Sequence, residues 1–259
     1  MTNIEAKSGA VTQTTMDPVT FEVLRNALIN LTEEMAVTIR RAAFSTNIKT
    51  RADFSCALFD AQLRCVAQSF AQPAHLVCMS VIAPNAIREF GPERMQPGDA
   101  IVVNDPHRGA SHLNDITVIS PVDVAGKRLG YVANMAHHVD VGGSQPASLG
   151  VNREIYQEGI ILPVTRVAAA GKIDDNVLNL ILANIRAPRE TNGDIRAQMS
   201  ANVIGARRLE ALTERYSPDT VAWFCDELIA YTERWAAVSY THLRAHETKA
   251  NLVCRLLLE

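Results

Sequence analysis

The chain has 259 residues, a formal charge of −3, and 47% apolar against 20% charged residues, a balance that belongs to folded domains and excludes disorder or a fibre. Its Lys and Arg are scattered rather than gathered into a stripe, which argues against nucleic acid as a partner. No apolar run is long enough to cross a bilayer and the first residues lack the basic patch and apolar stretch of a secretory signal, so no membrane partner and a cytoplasmic location are expected.

Residues 1–16 are rich in Thr, Ser, Ala and Gly without apolar periodicity and predict a disordered arm. Asp17 followed by Pro18 marks a helix start, since the carboxylate caps free amides and Pro at the first position loses no hydrogen bond. Phe21, Leu24, Leu28, Leu31, Met35 and Ile39 then recur at helical spacing, predicting one long helix to about Ala43. Between Asp53 and Gln68, SCALFD and LRCVAQ read as two strands around a tight turn at 60–62. A second helix is predicted over 75–90, ending at Gly91-Pro92.

Ala100 to Val103 is a short strand that runs into Asn104-Asp105-Pro106 and a polar loop. Ile116 to Val124 and Arg128 to His137 read as strands with Gly126 in the turn between them. A strand follows over 160–167, then a helix from about Asp174, with Pro188 breaking the pattern. Asp194 to Tyr216 is helical, with Ile195, Met199, Ile204 and Leu209 apolar and Arg207, Arg208 and Arg215 outward; another helix is expected from Thr220 past Trp235. Strands in the middle and helices at the ends predict an α+β or mixed α/β fold, with mainly antiparallel central strands, flanking helices and a long N-terminal helix.

The five cysteines, Cys56, Cys65, Cys78, Cys225 and Cys254, form no CxxC pair and are odd in number, so reduced thiols packed as small hydrophobes are expected. The chain holds seven histidines, and His107, His112, His137 and His138 fall in one stretch with Asp105, Asp115 and Asp140. Neutral imidazoles with an ionised carboxylate suit Mn, Fe or Zn.

If Ala125, Gly126 and Lys127 form a three-residue loop, Val124 faces Arg128 and Asp115 lies opposite His137, with His112 entering from the preceding loop. A two-residue loop would instead bring His138 opposite Asp115, and Pro121 is a candidate for a bulge. The histidine not used would point to the other face.

Three protein ligands leave positions open for water or a substrate oxygen, as catalytic sites require. His138 and Asp140 are then candidate proton carriers, and Arg51 and His75 candidates for binding a substrate carboxylate. Gly142-Gly143 permits close backbone approach. The plainer reading makes all of these ordinary polar loop residues. No GxxxxGK[ST], GxGxxG or GxSxG motif is present, which puts nucleotide chemistry elsewhere.

The stretches DPVTFEVLRNAL, TRADFSCALFDAQ, PGDAIVVNDPHRGASHLNDITV, ANMAHHVDVGG and NIRAPRETNGDIRAQMSANVIGARRL, in this order, resemble the hydantoinase B/oxoprolinase family. That family includes N-methylhydantoinase B subunits, part of 5-oxoprolinase and a subunit of acetone carboxylase. In acetone carboxylase the corresponding subunit carries a manganese site of two His and one Asp, and the matching positions here are His112, Asp115 and His137. The resemblance implies a partner of hydantoinase A type that binds ATP and phosphorylates a carbonyl oxygen. The implied reaction is ATP-dependent opening of a cyclic amide such as a hydantoin or 5-oxoproline. Ketone carboxylation of the acetone carboxylase type, or a non-catalytic assembly scaffold, are the alternatives.

Residues 17–236 are expected to form the N-terminal part of the family domain, truncated relative to longer members. Residues 239–259 resemble a translated read-through rather than the family, so His242, His246 and Cys254 are excluded from the site.

Overall fold

A computed structural model describes residues 16–69, 72–148 and 150–256, with 148 and 242–256 as backbone alone. The arm expected over 1–16 thus lies outside the described residues save Met16, which packs against the core beside the first helix.

Helix α1 spans Pro18–Ala42, and Asp17 caps it as its side chain accepts from the Val19 and Thr20 amides at 3.0 and 3.2 Å. The expected hairpin forms as β1 (Phe54–Asp60) and β2 (Cys65–Gln68), after the single helical turn α2 (Thr46–Lys49). Helix α3 (Pro73–Phe90) is followed by β3 (Ala100–Val103), β4 (Asp115–Val124) and β5 (Lys127–His137). The strand expected over 160–167 is displaced to β6 (Thr165–Ala169), paired with β7 (Lys172–Ile173). Before it, the Leu162 amide and carbonyl bond instead to the side chain and backbone amide of Asn104, so 160–164 is a stitched loop.

Helices α4 (Asp175–Leu182), α5 (Pro188–Tyr216) and α6 (Pro218–Leu256) complete the order. Pro188 does not interrupt α5 but opens it, six residues ahead of the predicted start, because Pro at the first helical position has no amide to lose.

All strand pairs are antiparallel, in the order β2-β1-β5-β4-β3-β6-β7. Strand alternation sorts the side chains onto two faces. Phe59, Ile119, Ala133 and Met135 pack under α3, whereas Leu58, Val132 and Ala136 pack with Leu24, Leu28 and Met35 of α1, Leu209 of α5 and Phe224 of α6. On this second face Ile116, Val118 and Val102 also meet Leu178 and Ile181 of α4.

The buried stripe of α5 is more polar than its apolar spacing suggests. Thr191, Asp194, Gln198 and Asn202 face inward with Ile195 and Leu209, while Met199 and Ile204 are only half-buried. Each polar residue but Thr191 has work on the sheet or its approach. Asp194 Oδ1 accepts from the Phe44 and Ser45 amides, Gln198 donates to Ile116 O and Asn202 donates to Val118 O.

The β4–β5 turn has two residues, not three. Ala125 and Gly126 both take positive φ, 51° and 77°, as a tight hairpin turn of this length demands, and Val124 pairs with Lys127. By itself this would place Ala136, not His137 or His138, opposite Asp115. A bulge between Val122 and Asp123, with Leu129 the extra residue on β5, restores the offset, so that Val122 pairs with Gly130 and Asp115 with His137. The expected pairing is therefore present, but by two compensating departures from the expected loop.

Candidate metal centre

The site sits where three strand ends meet. Asp115 opens β4 and His137 closes β5 opposite it. The His137 amide donates to Asp53 O at 2.9 Å, tying in the start of β1. The ladder continues one residue further through Asn114, whose carbonyl accepts from the His138 amide at 2.9 Å while its side chain donates to His138 O at 3.0 Å. His112 belongs to the loop between β3 and β4, closed by the Asp115 amide on His112 O at 3.2 Å. Buried Asn104 anchors that loop by donating to Leu113 O at 2.7 Å and Ile160 O at 3.0 Å.

Three side chains converge here. His112 Nε2 lies 2.8 Å from Asp115 Oδ1, His137 Nδ1 lies 3.1 Å from the same oxygen, and the two ring nitrogens are 3.0 Å apart. Ligands about 2.1 Å from a single ion, at right or tetrahedral angles, stand about 3.0–3.4 Å from one another. The observed spacing fits such a set. Among the described residues these three form a group of His and carboxylate atoms close enough to share an ion. The side chain of Asp115 is 1% exposed, that of His137 20% and that of His112 44%, so the cluster is closed beneath the carboxylate and open to solvent on the histidine side.

Electrostatics favour an ionised carboxylate. Burial pushes the Asp115 carboxyl up, but the imidazoles of His112, His137 and His75 outweigh it and hold the group well below the usual carboxylate range. In turn the hydrogen bond to Asp115, stronger than the opposing effect of burial, raises the His112 imidazole, with smaller contributions from Asp53 and Glu158. An anionic oxygen between two partly accessible imidazoles is the donor set of a divalent first-row cation.

His75, expected to meet a substrate carboxylate, stands instead against a carboxylate of its own chain. It is buried in the first turn of α3, with Nε2 3.4 Å from Asp115 Oδ2 and 3.8 Å from Asp53 Oδ1, and Nδ1 without a hydrogen-bond partner. Arg51 is exposed just beyond α2, two residues before Asp53.

His138 and Asp140 are not part of the cluster. His138 is fully buried on the helical face, its Nε2 2.9 Å from Gln198 Oε1, and burial lowers its pKa. Asp140 is 3% exposed and accepts from the Arg186 amide at 2.6 Å and its guanidinium at 2.9 Å. The Gly142-Gly143 pair serves close approach by the chain itself. Both have positive φ, and a Cβ would meet Asn184 O or Gln157 O at 2.5 Å.

Burial pushes the Cys65 and Cys225 thiols up to about 11 and about 12, and raises Cys56 and Cys78 as well. All four are free, as expected of thiols packed as hydrophobes; the Cys254 side chain lies outside those described. No helix among the described residues is long and apolar enough to cross a membrane.

Sequence reasoning missed Ser111, Asn104, Asn114 and Gln198. The first three lie in NDPHRGASHLND, whose density of small polar residues beside the histidines is a signal for a tightly stitched loop. Gln198 carries no such signal, because its partner His138 is 60 residues away.

Residues 17–253 match the hydantoinase B/oxoprolinase family, and the chain belongs to it. It is 39% identical over 223 residues to an uncharacterized protein of Methanocaldococcus jannaschii, covering 85% of this chain and 40% of that protein. It is 33% identical over 232 residues to caprolactamase subunit beta of Pseudomonas jessenii, covering 89% and 39%. The crystal structure of the ATP-dependent caprolactamase from that organism superposes with a TM-score of 0.76 over 83% of this chain and 37% of the other, at 33% identity. A nucleotide-free acetone carboxylase structure shares the fold, with a TM-score of 0.75 over 82% of this chain and 28% of that one, at 20% identity. The chain thus spans about two fifths of the length of these curated relatives.

Proposed function

We propose that this chain contributes the metal-binding part of a cyclic-amide hydrolase that works with an ATP-binding partner subunit of hydantoinase A type. The convergence of His112, Asp115 and His137 is the observation that carries this reading. The likeness to an ATP-dependent caprolactamase, whose named substrate is a cyclic amide, supports hydrolysis and the need for ATP. Hydantoins and 5-oxoproline share the ring amide and belong to the same substrate class. Ketone carboxylation draws only on the acetone carboxylase likeness, which at 20% identity speaks for the fold alone.

His112, Asp115 and His137 would hold a divalent ion, with manganese the first choice and zinc or iron the others. When bound, such an ion acts as a Lewis acid toward a carbonyl or phosphoryl oxygen and lowers the pKa of water. The chain's own residues do the rest. Asp115 supplies the negative charge from a position sealed against solvent, the two histidines leave the open side for a substrate, the strand ends of β4 and β5 fix Asp115 and His137, and the loop before β4 fixes His112. Arg51, exposed and two residues before Asp53, is the cation offered here for an anionic substrate group. Phosphorylation of the amide oxygen falls to the partner, since this chain has no phosphate-binding loop of the common kinds.

Elemental analysis of the purified chain tests the reading. About one divalent ion per chain is expected in the wild type and little in His112→Ala and Asp115→Ala. Equal metal in all three would end it, and would leave an assembly scaffold as the better account.

A further inference from the structure

Asp115 divides its two oxygens between different partners. Oδ1 faces His112 at 2.8 Å and His137 at 3.1 Å. Oδ2 accepts a hydrogen bond from the Ser111 hydroxyl and lies 3.4 Å from His75 Nε2. A free carboxylate can present both oxygens to an ion or only one, and the choice changes the coordination number by one. Here the second oxygen is already engaged from two directions, by a loop residue and by a residue of α3.

We propose that Ser111 and His75 are positioning residues that hold Asp115 to one-oxygen coordination, and so keep a coordination place open for substrate. The inference rests on the metal-site reading. His75 is buried and reaches Asp115 from a helix on the sheet, so the carboxylate cannot rotate without displacing it. Ser111 immediately precedes His112, which makes one short loop responsible both for supplying a ligand and for orienting another. Such outer partners of a ligand set its geometry and its affinity for metal. His75 Nδ1 is buried and unpartnered, and Nε2 lies nearer to Asp115, at 3.4 Å, than to Asp53, at 3.8 Å, so Asp115 is the ring's closer carboxylate.

The test uses the intact chain loaded with Co(II), whose visible absorption reports coordination number, weakening as that number rises. Ser111→Ala and His75→Ala are expected to weaken the absorption, as Asp115 gains freedom to bind through both oxygens, and to lower Co(II) affinity by about 10–100-fold. Ser111→Thr keeps a hydroxyl and should restore the wild-type spectrum. His75→Gln retains a donor and should likewise stay near the wild-type spectrum, with circular dichroism checking that each variant is folded.

Wild-type absorption and affinity in folded Ser111→Ala and His75→Ala, or in folded Ser111→Ala alone should His75→Ala not fold, would overturn the positioning role while leaving the metal site standing. Failure of the wild type to bind Co(II) at all would remove both. A changed spectrum in Ser111→Ala that Ser111→Thr does not restore would count against the hydroxyl as the cause.

Discussion

Strand β5 ends at His137 and His138 follows directly, and the two faces of the sheet put these adjacent histidines to different uses. On the α3 face, His137 is partly open and meets Asp115 and His112 at hydrogen-bond distance. On the α5 face, His138 is sealed from solvent and bonded to Gln198, beside an Asn134–Asn202 hydrogen bond of 2.8 Å. Residue type does not separate a candidate ligand from a core residue here. What separates them is which face carries a converging carboxylate and an opening to solvent.

That contrast breaks most sharply at Asp115. Asp115→Asn should reduce Mn(II) affinity by more than about 100-fold, beyond what the loss of an outer partner costs, as read by isothermal titration. His138→Ala should leave Mn(II) stoichiometry unchanged. Mn(II) at about 100 times its Kd should add about 2.7 kcal/mol to the unfolding free energy of the wild type and of His138→Ala, and nothing comparable to Asp115→Asn. Urea unfolding should show His138→Ala less stable by about 2 kcal/mol, from the cavity and the stranded Gln198. Equal stability would mean that the helical face does not depend on its histidine.

The pH dependence sharpens the other side of the contrast. Because His112 must lose its proton to bind an ion, Mn(II) affinity should rise by about tenfold per pH unit up to the raised folded pKa of His112, which lies above the ordinary value of about 6.5, and then level off. In the metal-free protein the His112 imidazolium contributes stability that is full below about pH 6.5 and is lost as pH rises through that raised folded value. Denaturation of Asp115→Asn across the same range should show a weaker decline. The smallest effect belongs to a control far from the cluster. Asp17→Ala removes the α1 cap, should cost about 1 kcal/mol and should leave metal binding untouched.

Much of this was legible in the residues. The long first helix, both hairpins and the helix ending at Phe90 follow from period and turn residues, and the Asp115 and His137 pairing follows from counting across a hairpin. The count reached the right pair by a wrong path. A bulge at Leu129 adds a residue where the turn has one fewer, and nothing in the alternation of β5 betrays an extra residue that is itself apolar and buried.

The polar face of α5 was hidden for a different reason. Asp194, Gln198 and Asn202 fall on a helical stripe that a hydrophobic criterion reads as outward, and only their distant partners at Phe44, His138 and Asn134 show them to be core. His75 was visible as an isolated polar residue, but its contact with Asp115 depends on how α3 crosses the sheet, which local pattern does not encode.

The most direct measurement is an anomalous difference map from crystals grown with Mn(II). The account predicts one peak about 2.0–2.3 Å from His112 Nε2, Asp115 Oδ1 and His137 Nδ1, with no peak near His138. Density elsewhere, or none among these three atoms in a crystal where they keep their positions, would contradict it.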